Sequence, residues 1–280
     1  MRILESVGAL RAYREETRGN LGFVPTMGAL HQGHQCLMKR ARESCEHVVV
    51  SVFVNPTQFG PGEDLQSYPR TPEQDRRLCV QAGVDALWYP QVHELYPPGH
   101  ETYVELVGLG SRFEGESRPG HFRGVATVVT KLLNAVKPSQ LFLGEKDLQQ
   151  LVLLRRMIEE LLLDIEVVGV PTARDDHGLA LSSRNQRLTE EQRLKASVVY
   201  KGLREIQMQW ENGEARAESL KRLFERALQG VEGAELERFD LFDETLSRRF
   251  EKEERVGAGF CSVAVSYGGV RLIDNIQLCS

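Results

Sequence analysis

The chain has 280 residues, of which 41% are hydrophobic and 27% are charged, and its 25 glycines and 11 prolines are close to average usage. These proportions exclude disordered, collagen-like and coiled-coil proteins and predict one large and one smaller globular domain. The formal net charge of −5 is not gathered into blocks of one sign, which argues against nucleic acid as a partner.

The longest apolar runs, such as residues 47–54, are too short to span a bilayer, and residues 1–20 lack the apolar core of a secretory signal. We therefore expect no membrane partner and a cytoplasmic location. The cysteines are odd in number and never spaced as CxxC, a pattern typical of free thiols rather than of disulfides or a thiolate zinc site. They are Cys36, Cys45, Cys79, Cys261 and Cys279.

Short apolar runs alternate with helix-like stretches over the first 170 residues. The predicted strands are residues 21–24, 48–54, 86–89, 141–143 and 165–170. A nearly continuous apolar run such as HVVVSVFV is typical of a parallel strand covered by helices on both faces. The pattern predicts an α/β protein with a doubly wound, Rossmann-like parallel sheet.

The pattern changes after Pro171, where a polar segment precedes two charged helical stretches at about residues 190–210 and 216–228. Strand-like runs follow at residues 256–267 and 270–273, with a Gly-Gly turn between them that predicts a hairpin. We expect a second, smaller α+β C-terminal domain, and we place residues 1–172 in the first domain and residues 173–280 in the second.

The segment FVPTMGALHQGH places His31 and His34 at the start of a helix that follows a strand. Gly28 and Gly33 allow a ligand to approach the backbone closely. Helix N-termini attract anions, and neutral imidazoles can donate hydrogen bonds to phosphate oxygens. The alternative is an ordinary turn with surface histidines.

Polar residues also follow two other predicted strands. Asn55 and Gln58 come after residues 48–54, at the strand end where open α/β sheets bind ligands. Their neutral amides suit hydroxyl and carboxylate groups, although Asn before Pro is also an ordinary loop cap.

The segment GEKDLQQL begins at the end of a predicted strand and continues into a helix. Lys146 could neutralise a polyphosphate, Asp147 could accept hydrogen bonds from ribose hydroxyls, and Gln150 lies one helical turn beyond Lys146. A solvated, charge-rich helix start would look the same. Further along, Arg184 in LALSSRN could bind phosphate through its guanidinium fork, whereas the two serines before it could simply cap a helix.

Together these segments resemble the pantoate–beta-alanine ligase (pantothenate synthetase) family. The motifs PTMGALHQGH, FVNPTQF followed by YPRT, RPGHFRG, GEKDLQQL and GLALSSRN occur in the family's order, and RLIDN at residues 271–275 is also similar. The resemblance is strong from about Phe23 to Arg193 and weaker beyond. The HxGH element is similar to the histidine signature of nucleotidyltransferases and class I aminoacyl-tRNA synthetases.

The resemblance implies a two-step reaction on small-molecule substrates. ATP and pantoate would give pantoyl adenylate and pyrophosphate, and beta-alanine would then displace AMP to give pantothenate, a precursor of coenzyme A. Magnesium is expected to accompany ATP. The family also implies a homodimer, and because an acyl adenylate is easily hydrolysed we expect the C-terminal domain to act as a lid.

The resemblance further implies the site residues. His34 is expected to be the acid catalyst, supported by the charge-stabilising His31, Lys146 and Arg184. Gln58, Gln150 and Asn55 are expected to hold pantoate, with Gln58 also near beta-alanine. Asp75 is the candidate magnesium ligand. ATP contacts are expected from Met27, Gly28, Ala29, Leu30, His31, Gln32, Gly33, His34, Gly144, Glu145, Lys146, Asp147, Ala173, Leu181, Ser182, Ser183 and Arg184.

Two other functions stay open from the sequence. The chain could be a nucleotidyltransferase that transfers AMP to a phosphorylated acceptor and stops there, or a non-catalytic nucleotide-binding module. Other chemistry has no motif in its favour, because the sequence contains no P-loop and no GxSxG elbow. GLGSRF at residues 108–113 comes nearest to a dinucleotide fingerprint, but Phe113 stands where the third glycine would be.

Overall fold

A computed structural model describes residues 1–279, and the chain divides into two compact units. The first unit comprises Met1–Glu145 and Gln149–Pro171. The second comprises Lys146–Leu148 and the chain from Thr172 onward. Lys146–Leu148 therefore packs with the second unit although it lies within the sequence of the first.

The first unit is built on a six-stranded parallel sheet with the strand order β1-β4-β3-β2-β5-β6. The strands are β1 (Arg2–Leu4), β2 (Leu21–Thr26), β3 (His47–Val52), β4 (Ala86–Trp88), β5 (Gln140–Gly144) and β6 (Glu166–Val170). The helices are α1 (Val7–Glu16), α2 (Gln32–Ser44), α3 (Pro72–Gln81), α4 (Val92–Leu95), α5 (Glu114–Ser117), α6 (His121–Val136) and α7 (Leu148–Glu160). The predicted doubly wound α/β fold is confirmed.

The sheet places two of the predicted ligand segments side by side. After β2 the chain adds strands on one side, and after β5 it adds β6 on the other, so the strand order reverses between β2 and β5. Ligands of open α/β sheets bind outside the carboxyl ends of the strands at such a reversal. Those ends are Thr26, which precedes the two histidines, and Gly144, which is the first residue of GEKD.

A buried apolar cluster holds the sheet against its helices. Val24, Val50 and Phe142 come from the strands. Leu30 comes from the loop between β2 and α2, and Met38 comes from the middle of α2. All five side chains are fully buried. Leu30 lies within the HxGH segment, so burial of its side chain helps to fix the path of that segment.

The second unit combines three helices with an antiparallel sheet in the order β7-β8-β9. Its elements are α8 (Glu190–Ala196), α9 (Val198–Glu211), α10 (Ala217–Leu228), β7 (Glu235–Asp243), β8 (Gly259–Tyr267) and β9 (Val270–Leu278). The predicted small α+β domain is confirmed as a fold. The predicted hairpin is also present, because Gly268 and Gly269 both adopt positive φ in the turn between β8 and β9.

The helices of the second unit cover its sheet through an apolar core that includes Leu203, Phe224 and Val263. Gly202 lets α9 approach α10, because a Cβ there would lie 2.9 Å from the Phe224 ring. The predicted helix over residues 190–210 is two helices, which meet at the buried Ser197. Thr189 and Gln192 form a capping box at the start of the first helix.

Two further observations bear on the sequence-based expectations. All five cysteines are free. Within residues 1–279, no helix combines the length and the apolar character that crossing a bilayer requires.

Candidate active site

The segment between β2 and α2 follows a path that few residues can adopt. Gly28 has φ +82° and Ala29 has φ +49°, so two consecutive residues are left-handed. At Gly28 a Cβ would lie 2.9 Å from Val52 Cγ1, which leaves no room for a side chain. A glycine is therefore needed here for conformation and for space.

Asp75, on helix α3, holds this segment in place. Its carboxylate accepts hydrogen bonds from Ala29 N at 3.2 Å and Leu30 N at 2.8 Å, and from Thr71 Oγ1 at 3.0 Å. The neighbouring Gln74 donates to Leu30 O at 3.4 Å. Asp75 is only 1% exposed. Asp75 thus supports the backbone of this segment, and its role as a magnesium ligand stays a prediction.

The two histidines cap helix α2 reciprocally. His31 N donates to His34 Nδ1 at 3.3 Å, Gly33 N donates to His31 Nδ1 at 3.1 Å, and the ring centroids are 4.2 Å apart. A ring nitrogen that accepts a hydrogen bond carries no proton, so a neutral ring in this arrangement has its proton on Nε2. Each imidazole is thereby set up as an Nε2–H donor.

This arrangement corrects one part of the sequence-based reasoning. The backbone N–H groups of this segment were expected to attract phosphate, but those of Gly28, Ala29, Leu30, His31 and Gly33 all have partners inside the protein. The backbone shapes the segment, and the groups suited to an anion are the imidazoles.

Gln58 lies beside the same segment and is held by Asn55. Asn55 Nδ2 donates to Gln58 Oε1 at 3.1 Å and to Gly124 O at 3.1 Å, while its Oδ1 accepts from Tyr96 OH at 2.9 Å. Gln58 Nε2 then points to Met27 Sδ at 3.1 Å. The structure thus brings the predicted Gln58 and Met27 together.

Asn55 was predicted to hold pantoate, and in the structure its side chain is paired with other groups of the protein. Its side chain is 1% exposed, and both its donor group and its acceptor are used by protein partners, including Thr57. We infer that Asn55 orients the Gln58 amide, so that Oε1 is occupied and the NH2 group is left to donate. The loop-cap interpretation of Asn55 is also correct, because it caps the short helix Pro56–Gln58.

The backbone of Gln58 has a second support, which the sequence analysis did not find. His121 Nδ1 lies 2.8 Å from Gln58 O, and Arg118 Nη1 lies 3.2 Å from His121 Nε2. Because arginine can only donate, Nε2 accepts and Nδ1 donates to Gln58. Arg118 is held in turn by Glu63 at 2.5 Å. Burial and the charge of Arg118 lower the pKa of His121 to about 4.

Gly124 brings α6 against the short helix that contains Gln58. A Cβ at Gly124 would lie 2.4 Å from Thr57 O and 2.7 Å from Gln58 Cα. The second glycine of RPGHFRG, Gly124, is therefore required for close approach, whereas the first, Gly120, has φ +82°. The last four residues of the motif, His121 to Gly124, begin helix α6.

The adjacent residues Gln149 and Gln150 differ in their surroundings. Gln149 is buried, accepts from Glu114 N at 3.0 Å, and donates to Leu109 O at 2.9 Å and Arg112 O at 2.8 Å. Gln150, which was predicted to hold pantoate, is half-buried. Gln149 is thus the structural member of the pair, which leaves Gln150 as the candidate for ligand binding.

In the second unit, the predicted ATP contacts lie in two places: the loop Leu181–Arg184 with Ala173, and Lys146 with Asp147. Leu181 N donates to Ala173 O at 2.9 Å, which joins two of the predicted residues directly. Ser182 caps the short helix Ser183–Arg187 by accepting from Arg184 N at 3.3 Å, so the capping interpretation is correct for this serine. Lys146 and Asp147 lie in the short helix Glu145–Asp147, which follows β5.

Each unit thus brings together part of the predicted set. The first unit groups the HxGH segment, Asn55, Gln58 and Asp75 through direct hydrogen bonds. Among residues 1–279, no group of three or more His, Cys, Asp or Glu side chains could hold a metal ion.

Comparison with known proteins bears directly on these features. The family model for pantoate-beta-alanine ligase matches residues 2–277. The pantothenate synthetase of Chloroflexus aurantiacus is 47% identical over 277 residues, which cover 98% of this chain and 97% of the relative. The pantothenate synthetase of Thermotoga petrophila is 44% identical over 281 residues, covering 99% of this chain and all of the relative.

Solved structures agree with these relatives. A pantothenate synthetase from Thermus thermophilus superposes with a TM-score of 0.94 at 46% identity, over the full length of both chains. A pantoate-beta-alanine ligase from Francisella tularensis, solved with beta-gamma ATP and beta-alanine, has a TM-score of 0.83 at 35% identity and covers 99% of this chain and 97% of its own.

The sheet reversal and the histidine-capped helix define an α/β enzyme of the HxGH nucleotide-binding type. Together with the full-length matches, they establish that the chain belongs to the pantoate–beta-alanine ligase family. The resemblance inferred from the motifs is confirmed, and the chain is an ATP-binding ligase of pantothenate biosynthesis.

The close approach at Gly124 can be tested by adding one methyl group. Gly124→Ala places a Cβ against backbone atoms that cannot rotate away, so we expect a loss of about 1–3 kcal/mol of unfolding free energy, measured by urea denaturation. Gly108→Ala is the matched control, because nothing lies within 4 Å of a Cβ at Gly108. Equal stability of the two variants would contradict the packing argument.

His121 should make stability depend on pH. Its pKa is about 4 in the folded chain and near 6.5 when unfolded, so below about pH 6.5 the unfolded state takes up a proton that the folded state does not. Stability is full above pH 6.5 and should fall by about 1–3 kcal/mol as the pH approaches 4. His121→Asn keeps a donor for Gln58 O but does not titrate. The free energy of unfolding is measured by urea denaturation between pH 7.5 and 4.5 for the unmodified protein and for His121→Asn. The same loss of unfolding free energy in both proteins would refute the prediction.

Proposed function

We propose that this chain joins pantoate and beta-alanine through a pantoyl-adenylate intermediate and so supplies pantothenate, a coenzyme A precursor. One observation supports the proposal most directly. Gln58, a donor suited to pantoate, is hydrogen-bonded to Met27, in the segment whose histidines are suited to phosphate. A carboxylate substrate and a nucleotide would therefore meet at one segment, and the Francisella relative is named for its complex with beta-gamma ATP and beta-alanine.

In the first step, a carboxylate oxygen of pantoate attacks the α-phosphorus of ATP. The bond from that phosphorus to the oxygen bridging to the β-phosphate breaks, and pyrophosphate leaves. Two anions have to approach and negative charge builds on the phosphoryl oxygens, so donors and cations lower the barrier. We assign this role to the Nε2–H groups of His31 and His34, with His34 as the acid, and to Lys146 and Arg184.

Binding roles follow from the same assignment. Gln58 and Gln150 hold pantoate, with Asn55 orienting Gln58. The HxGH segment, Gly144–Asp147, Ala173 and Leu181–Arg184 contact ATP. Magnesium would enter with ATP and offset the charge of its phosphates, and Asp75, which hydrogen-bonds the backbone of the HxGH segment, is its candidate protein ligand.

In the second step, the amine of beta-alanine attacks the acyl carbon of the adenylate. The amide bond forms, the amine loses a proton, and AMP leaves with the electrons of the broken acyl–oxygen bond. Gln58 lies near this amine in our assignment. We also propose a cytoplasmic homodimer in which the second unit serves as a lid, as the family resemblance implies.

The proposed reaction is tested by following pyrophosphate and AMP separately. Isotope exchange between pyrophosphate and ATP should require pantoate but not beta-alanine, whereas release of AMP with pantothenate should require both. AMP transfer that never depends on beta-alanine would favour a simple nucleotidyltransferase. ATP binding without any exchange would favour a non-catalytic module.

His34 can be tested without disturbing the helix cap. In His34→Asn, the amide oxygen can still accept the His31 N–H, but the Nε2–H donor is lost. We expect the pantoate-dependent exchange rate to fall about a hundredfold or more with little change in thermal stability. His34→Gln, which restores a donor near Nε2, should lose less. Near-normal exchange in His34→Asn would exclude His34 as the acid.

A further inference from the structure

Strand β9 contains a carboxylate where its pattern would place an apolar residue. Leu272 and Leu278 are buried, and Asp274, at a core-facing position between them, is only 3% exposed. Burying an unpaired carboxylate is costly, so the structure has to compensate this charge closely.

The compensation comes from Arg174. Its guanidinium forms two hydrogen bonds with Asp274, at 2.6 and 2.9 Å, and it stacks 3.6 Å from the centre of the Tyr200 ring. Arg174 also donates to Gly178 O and pairs with Ala180 in an isolated β-bridge. Asp274 thereby anchors the hairpin that leads into the Leu181–Arg184 loop.

The next residue connects this anchor to Lys146. Asn275 N donates to Asp274 Oδ1 at 2.8 Å, and Asn275 Nδ2 donates to Lys146 O at 2.9 Å. The lysine backbone is thus tied to β9 across 129 residues of sequence. Lys146 belongs to the second unit, together with β9, so this contact lies within one compact body.

We propose that Asn275 is a positioning residue for Lys146, with Asp274 fixing Asn275 and the Ala173–Leu181 hairpin at the same time. The RLIDN motif then supports nucleotide binding in two ways. Asn275 fixes the backbone position from which Lys146 reaches the phosphates, and Asp274 fixes the hairpin that precedes the Arg184 loop. This inference rests on the proposed ATP-binding role of Lys146.

The test compares two amide-to-carboxylate changes on one strand. Asn275→Asp removes the donor to Lys146 O, whereas Gln277→Glu adds the same charge at an exposed position two residues along. We expect Asn275→Asp to weaken binding of a non-hydrolysable ATP analogue about tenfold, measured by calorimetry, with an unchanged melting temperature. Gln277→Glu should bind like the unmodified protein.

A double-mutant cycle distinguishes positioning from general damage. If Asn275 acts through Lys146, adding Asn275→Asp to Lys146→Ala should change analogue binding by less than about twofold. A full tenfold effect in that background would overturn the proposal, as would equal binding by Asn275→Asp and Gln277→Glu. If Asn275→Asp lowers the melting temperature, the uncharged Asn275→Ser takes its place in the same cycle.

The two hypotheses fail in different ways. If the unmodified protein does not bind the analogue, or if Lys146→Ala binds it normally, the ATP-binding role of Lys146 is wrong. If the unmodified protein binds, Lys146→Ala weakens binding, and the Asn275 variants have no effect, only the positioning role of Asn275 is wrong.

Discussion

The segment between β2 and α2 has to pair its backbone N–H groups internally while it passes through two left-handed residues. Asp75, on α3, accepts two consecutive N–H groups, and each of the two histidines accepts one more with Nδ1. Thr26 Oγ1 accepts the N–H of Gly28. Because Nδ1 accepts in the cap, the proton of each neutral ring is on Nε2. The two histidines therefore present donors to the candidate site because their other ring nitrogens accept backbone N–H groups of this segment.

The same principle orients Gln58. Burying an amide is costly unless its oxygen and its NH2 group are both hydrogen-bonded. Which of the two possible orientations the amide takes is set by the donors and acceptors around it. Tyr96 donates to Asn55, so Asn55 has to donate to Gln58, and the Gln58 NH2 group faces Met27. His121 fixes the backbone oxygen of the same residue. Gln58 is thus a preset donor, and the proposed binding of pantoate would require little reorganisation of this side chain.

Local pattern was sufficient for most of the fold. Strands β2 to β6, strand β8 and the Gly-Gly turn were predicted close to where they are observed, because apolar runs and Gly turns are local signals. Strand β9 was predicted only for residues 270–273 but extends to Leu278. Strand β7 was missed because the alternation of Glu235–Asp243 is broken at the adjacent Glu237 and Arg238, where the strand register shifts. It also contains the buried Asp240, whose charge is paired with Arg238 and Arg249. The short edge strand β1 has too few residues to produce a pattern.

The sequence by itself determined the fold class, the family and the segments that approach ligand, because strand and helix periods and motif spacing are properties of neighbouring residues. Only the tertiary structure decided which polar side chains support the site and which are placed to act in it. Asp75, Asn55 and Gln149 are engaged by backbone and side-chain groups from distant parts of the chain, and Asn275 reaches Lys146 across most of the second half. Burial and hydrogen-bond pairing depend on such distant contacts, and no spacing in the sequence encodes them.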